Sequence, residues 1–258
     1  MSTGKQELLL ARLNAIGASI AGSGNALGLI GLGSAGSEIE RLDNFSDLDF
    51  FAMVETGHKN EYLDNLEWLS SICPISYAYR NTRDGHKILF EDGVFCEFAV
   101  FELQELRHIP FVPGRIVWKK EGIPDAMFLP EQDRYARADS SPEWLVGEAL
   151  SNLYAGLSRN RRGEKLSAMR AIQVYAVDRL LELAAKLEPE TSAARDVFAF
   201  ERRFEQRYPK SSLVLPEWIQ GYERNNESAL SILAFLAAHF EINPAMKRAI
   251  EELCSVDA

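Results

Sequence analysis

Gly31-Leu32-Gly33-Ser34-Ala35-Gly36-Ser37-Glu38-Ile39-Glu40-Arg41-Leu42-Asp43-Asn44-Phe45-Ser46-Asp47-Leu48-Asp49-Phe50-Phe51 is the segment from which the rest of the chain can be organised. An apolar run from Ala26 to Leu32 enters it and a second, from Leu48 to Val54, leaves it; both have the length and composition of strands. Asp47, at the mouth of the second run, and Asp49, within it, stand two apart, so a strand projects both carboxylates from one face. Like charges side by side repel, and burying them is costly unless a cation lies between them. A divalent metal is the simplest such partner, because Mg²⁺ takes oxygen ligands and is usually held by one or two carboxylates together with substrate phosphates. The Gly33-Ser34 turn just upstream offers backbone N–H groups and a hydroxyl to a phosphate oxygen. Together they imply phosphoryl or nucleotidyl transfer.

A third carboxylate follows in His86-Lys87-Ile88-Leu89-Phe90-Glu91-Asp92-Gly93-Val94-Phe95-Cys96-Glu97-Phe98-Ala99-Val100-Phe101, two short strands around an Asp92-Gly93 turn. Glu97 interrupts an otherwise apolar strand. It either faces solvent on an alternating strand or ligates metal, and the Asp-x-Asp upstream favours the ligand.

Gly-Ser followed by Asp-x-Asp in a strand–turn–strand context resembles the signature of the polymerase-β-type nucleotidyltransferases. The resemblance implies that Asp47, Asp49 and Glu97 bind two Mg²⁺ ions and that Gly33 and Ser34 hold the phosphate tail of a nucleoside triphosphate. It also implies that Glu97 can accept the proton of an acceptor hydroxyl. In the second half, Leu150-Ser151-Asn152-Leu153-Tyr154-Ala155-Gly156-Leu157 and Arg162-Gly163-Glu164-Lys165-Leu166-Ser167 resemble the helical domain of the larger lincosamide nucleotidyltransferases, which inactivate antibiotics. That similarity implies transfer of a nucleoside monophosphate to a hydroxyl of a small molecule, with Arg162 and Lys165 on the triphosphate. Alternative acceptors are an aminoglycoside, which would want extra carboxylates, or a protein side chain. A nucleotide-binding, antitoxin-like relative without turnover is the non-enzymatic alternative.

The fold class expected is α+β: a mixed-sheet nucleotidyltransferase domain over residues 1–135, then an all-helical, substrate-binding bundle over 136–258, with the site in the cleft between them. Lys5 to Ile20 is apolar at helical spacing (Leu8, Leu9, Leu13, Ile16, Ile20), and Lys59 to Ile72 predicts a second helix. Ile75–Tyr79 and Arg115–Lys119 read as strands. Glu121 to Ser141 is rich in breakers and reads as a linker or lid. Ser141-Pro142 is a helix start, and Gly163, Pro189, Pro209 and Pro244 divide the remainder into four or five helices. Trp144, Tyr154, Tyr175 and Trp218 are expected mainly in the core, and the four histidines at the surface or in turns.

Arg159, Arg161, Arg162, Lys165 and Arg170 form a basic cluster that either complements a helix end or grips phosphate. Elsewhere the chain is acidic: 258 residues carry a formal net charge of −10, which argues against nonspecific nucleic-acid binding. The three cysteines (Cys73, Cys96, Cys254) are too few and too scattered for a disulfide framework. No apolar run approaches a membrane span and no signal peptide opens the chain, so a cytoplasmic protein is expected. A homodimer is left open.

Overall fold

In the computed structural model, which describes residues 4–130, 140–193, 195–196 and 199–255, the chain divides into two compact units, Met1–Arg134 and Tyr135–Ala258. The first is built on strands β1 (Ala26–Leu32), β2 (Leu48–Val54), β3 (Ile75–Arg80), β4 (Gly85–Phe90), β5 (Phe95–Glu102) and β6 (Arg115–Lys119). They form one six-stranded sheet in the order β3-β4-β5-β2-β1-β6. Only β2 and β5 run parallel; every other neighbouring pair is antiparallel. With the helices that follow, the class is α+β, as expected.

Strand parity gives the sheet two faces. Leu48, Phe50 and Ala52 on β2, Cys96, Phe98 and Val100 on β5, and Ile88 and Phe90 on β4 point to one face and are buried. Helix α1 (Lys5–Ala21) covers that face with Leu9, Leu13, Ile16 and Ile20, the stripe that its spacing predicts. Phe50 stacks on Phe98 (centroids 5.2 Å) and Trp68 meets both edge-on. Arg12 is buried on the same helix: its guanidinium lies 4.3 Å from the Phe90 ring centre and donates to Asp92 in the β4–β5 turn. A charge in that position is tolerable because it is paired.

Three local expectations for the first unit need correction. Residues 59–72 form two short helices, α2 (Lys59–Asp64) and α3 (Glu67–Ser70), because Asn65 is extended and its side chain accepts from the Glu67 N–H at 2.9 Å. His86 is buried in β4 and stacked on Phe98 (5.6 Å), and burial lowers its pKa. The chain from Glu121 to Leu129 is not a loose linker. A 3₁₀ turn, Asp125–Phe128, seats Phe128 on the second face of the sheet with Ile30, Met53, Phe101, Leu106 and Phe111. Gly28 makes the room: a Cβ there would meet Phe128 Cε1 at 2.4 Å. Residues 131–139 of the expected linker lie outside the described residues.

The second unit opens with α4 (Pro142–Arg161), capped by Ser141, whose hydroxyl accepts from the Trp144 N–H at 3.2 Å. After a turn at Gly163, α5 (Lys165–Arg170), a π-helical segment (Ala171–Ala176) and α6 (Val177–Leu187) run on as one rod. The short α7 (Phe204–Arg207) and α8 (Leu215–Trp218) and the longer α9 (Asn225–His239) and α10 (Pro244–Ser255) complete the core. Gln173, in the π segment, donates to Gly221 O and Asn225 Oδ1 and accepts from Gly221 N, each at 2.8 Å. Trp218 is core, as expected, whereas Trp144, Tyr154 and Tyr175 are exposed. No helix among the described residues is long and apolar enough to cross a membrane.

Seating Phe128 against Gly28 makes Gly28→Ala an overpacking substitution. We expect it to destabilise the first unit by roughly 1–3 kcal/mol, read as a lower denaturant midpoint, with Phe128→Leu in the same chain recovering part of the loss. An unchanged midpoint would mean that Phe128 does not sit there.

Candidate active site

The turn that leaves β1 begins at Gly33, whose φ of +53° is a left-handed conformation that an L side chain rarely adopts. Its carbonyl accepts from Gly36 N (3.0 Å) and Glu38 N (3.2 Å), closing a tight loop that includes Ser34. A Cβ on Gly33 would lie 3.9 Å from Asp49 Oδ2, so this turn sits over the Asp49 carboxylate. The approach to β2 is locked separately. Asp43 Oδ1 accepts from Phe45 N (2.8 Å) and Ser46 Oγ (3.0 Å), and Asp43 N donates to Ser46 Oγ (2.9 Å). Those bonds, the Phe45 N–H first among them, hold the Asp43 carboxyl below the usual range. The pre-strand loop therefore delivers Asp47, exposed, and Asp49, half-buried, from a fixed start.

Register assembles the rest. In the parallel β2–β5 pair, Asp49 lies directly opposite Glu97. Across the β4–β5 hairpin Glu97 faces Lys87, and across β3–β4 Lys87 faces Tyr79. Asp49, Glu97, Lys87 and Tyr79 thus form one row on the second face of the sheet. Asn81 Nδ2 donates to Glu97 Oε1 at 2.8 Å and Lys87 Nζ pairs with Oε2 at 3.0 Å. Both oxygens of Glu97 are engaged. The Glu97 contact, with smaller contributions from Tyr79 and Asp49, raises the pKa of Lys87. Asn81, Lys87 and Asp43 are absent from the sequence-based set: an Asp92-Gly93 turn of two residues would set Ile88 against Glu97, whereas the hairpin closes between Phe90 and Val94 and sets Lys87 there.

Among the described residues no three carboxylate, imidazole or thiol groups converge as a metal cage. Mg²⁺ does not require one, since it commonly takes one or two carboxylates plus phosphate oxygens and water. Asp47 and Asp49 supply hard oxygens of that kind. Glu97 could join them by sharing or releasing its contact with Lys87 or Asn81.

Arg162 and Lys165 belong to the second unit, and each already has an acidic neighbour: Arg162 Nε with Glu164 at 2.9 Å, Lys165 Nζ with Glu223 at 2.6 Å. These pairs are exposed and worth little. Lys165 lines a cleft of about 530 Å³ with Arg159, Ser167, Arg170, Tyr175 and Tyr222. Arg161 is engaged elsewhere, donating to Leu253 O at the end of α10.

No family model matches this chain, and no curated protein matches it. Among solved structures it is similar to an aminoglycoside 6-adenyltransferase from Bacillus subtilis, at 14% identity over 99% of this chain and 93% of that one, with a TM-score of 0.32. At that identity and score the likeness carries no function across.

Proposed function

We propose that this protein is a nucleotidyltransferase of the polymerase-β type, moving a nucleoside monophosphate from a nucleoside triphosphate to a hydroxyl of a small molecule, with a lincosamide-type antibiotic as the acceptor. One observation carries the transfer chemistry: Asp49, beneath the Gly33-Ser34 turn, stands opposite Glu97 on the adjacent parallel strand. In our reading Gly33 and Ser34 hold the leaving phosphates, and Asp47 and Asp49 hold Mg²⁺, with Glu97 as a further ligand for a second ion. Bound there, Mg²⁺ would neutralise phosphate charge and favour departure of pyrophosphate. The acceptor oxygen bonds the α-phosphorus, the bond to the pyrophosphate oxygen breaks, and Glu97 receives the hydroxyl proton. To do so, Glu97 must exchange its contact with Lys87 or Asn81 for the substrate. We assign phosphate binding in the helical unit to Arg162 and Lys165; the cations lining the Lys165 cleft support the second of these.

A second reading, a nucleotide-binding relative without turnover, draws on the double engagement of Glu97. Incubation with each labelled nucleoside triphosphate, Mg²⁺ and an antibiotic panel, followed by mass analysis, separates the two.

Asp49→Asn should abolish adduct formation while thermal stability holds or rises slightly, because one charge of a crowded acidic group is removed. Near-wild-type activity at saturating Mg²⁺ would refute the metal assignment.

Glu97→Gln should slow the chemical step by roughly 10²- to 10⁴-fold, the usual worth of general acid–base catalysis, and change nucleotide affinity by calorimetry far less. Equal losses in both would mark Glu97 as a ligand alone.

Lys165→Ala and Arg162→Ala should each raise the nucleotide KM, a charge-assisted contact being worth about 1.5–3 kcal/mol. If neither does, the basic cluster has no part in nucleotide binding.

A further inference from the structure

Within the first unit, the described residues cover the second face of the sheet only in part. Phe101, Leu106, Phe111 and Phe128 close it around Ile30 and Met53. At the opposite side, edge strand β3 carries Tyr77 and Tyr79, 52% and 46% exposed, with ring centroids 5.8 Å apart. Exposed aromatic pairs of this kind favour ligand contact. Both belong to the carboxylate surface by register. Tyr79 ends the row Asp49–Glu97–Lys87–Tyr79, and Tyr77, Leu89 and Phe95 form the next row on the same face. Leu89 and Phe95 are half-buried, which leaves apolar surface beside the polar row.

Direction along this row is set by the chemistry. Attacking and leaving oxygens stand on opposite sides of the transferred phosphorus. The Gly33-Ser34 turn, over Asp49, occupies the leaving-group end. The acceptor must therefore approach from the Glu97 end, along β4 and β3. With strands about 4.8 Å apart, Tyr79 lies roughly 10 Å from Glu97, the span of a small molecule whose hydroxyl is at Glu97. Lys87 balances the Glu97 charge at 3.0 Å, and Asp47 and Asp49 are the carboxylates assigned to Mg²⁺, so once the metal is bound none of these three is left over to attract a polycation.

We propose that Tyr77, Tyr79, Leu89 and Phe95 form the acceptor-binding surface, taking a small molecule with a reactive hydroxyl at one end and an apolar or ring face about 10 Å away, and discriminating against polycationic acceptors. The proposal rests on nucleotidyl transfer at Asp49 and Glu97, and narrows the acceptor class.

The test is Tyr77→Ser and Tyr79→Ser, singly and together; both side chains are exposed, so the variants should melt with the wild type. Calorimetry with lincomycin and, separately, with Mg-ATP reads the two sites apart, and mass analysis reads adducts with lincomycin and kanamycin. We expect lincomycin affinity to fall roughly tenfold per tyrosine, as loss of a large apolar contact predicts, with nucleotide affinity unchanged. A double variant that binds lincomycin like the wild type, or a wild type that does not bind it, overturns the proposal. A wild type that modifies kanamycin, with the double variant equally active, also overturns it but leaves nucleotidyl transfer standing. Lincomycin binding that depends on the tyrosines, without any transfer, would support the surface and remove the transfer reading instead.

Discussion

The parallel pairing of β2 with β5 is the constraint on which the first unit depends. Parallel strands cannot be joined by a tight turn and need a long crossover, which here comprises α2, α3, β3 and β4. The crossover places a complete hairpin on the far side of β5, so that the strand after β2 in sequence is not its neighbour in space. Because residues opposite one another share a face, one register brings Asp49 to Glu97 and, in the same step, Phe50 to Phe98 in the core. A slip of one residue would bury the carboxylates and expose the phenylalanines. Core packing and site assembly are thus the same constraint viewed from the two faces of the sheet.

Charge is managed along the row. Asp47, Asp49 and Glu97 lie in a chain of net charge −10, and in the structure Lys87 and Asn81 stabilise the Glu97 carboxylate. Lys87 keeps its proton firmly because Glu97 sits against it. On the covered face the corresponding device is Arg12, which ties α1 to the hairpin turn through Asp92. The hairpin is held from both sides by cations.

The helical unit is organised by polar side chains as well as by apolar ones. Gln173 and Asn225, both buried, fix the Gly221–Asn225 segment, and Asn225 also donates to Asn160 Oδ1 and Lys165 O. Buried amides with their bonds satisfied define a unique packing. Here they set the wall of the cleft in which Lys165 and Tyr222 stand.

Local patterns in the sequence determined the strands and α1. Ala26–Leu32 and Leu48–Val54 are continuous apolar runs, and Leu9, Leu13, Ile16 and Ile20 repeat with the helical period, so short-range periodicity suffices. The Asp-x-Asp pair, Gly33-Ser34 and Glu97 were equally legible as residue types in a strand–turn context. Long-range pairing was not legible. Strand order, the seating of Phe128 on Gly28, the burial of His86, and the exposure of Trp144, Tyr154 and Tyr175 depend on which distant segment covers a surface. A side chain's own sequence neighbours carry no record of that. The tertiary structure alone decided that Asn81 and Lys87 stabilise Glu97 and that Tyr77 and Tyr79 extend its row, because cross-strand contacts arise only once the sheet has closed.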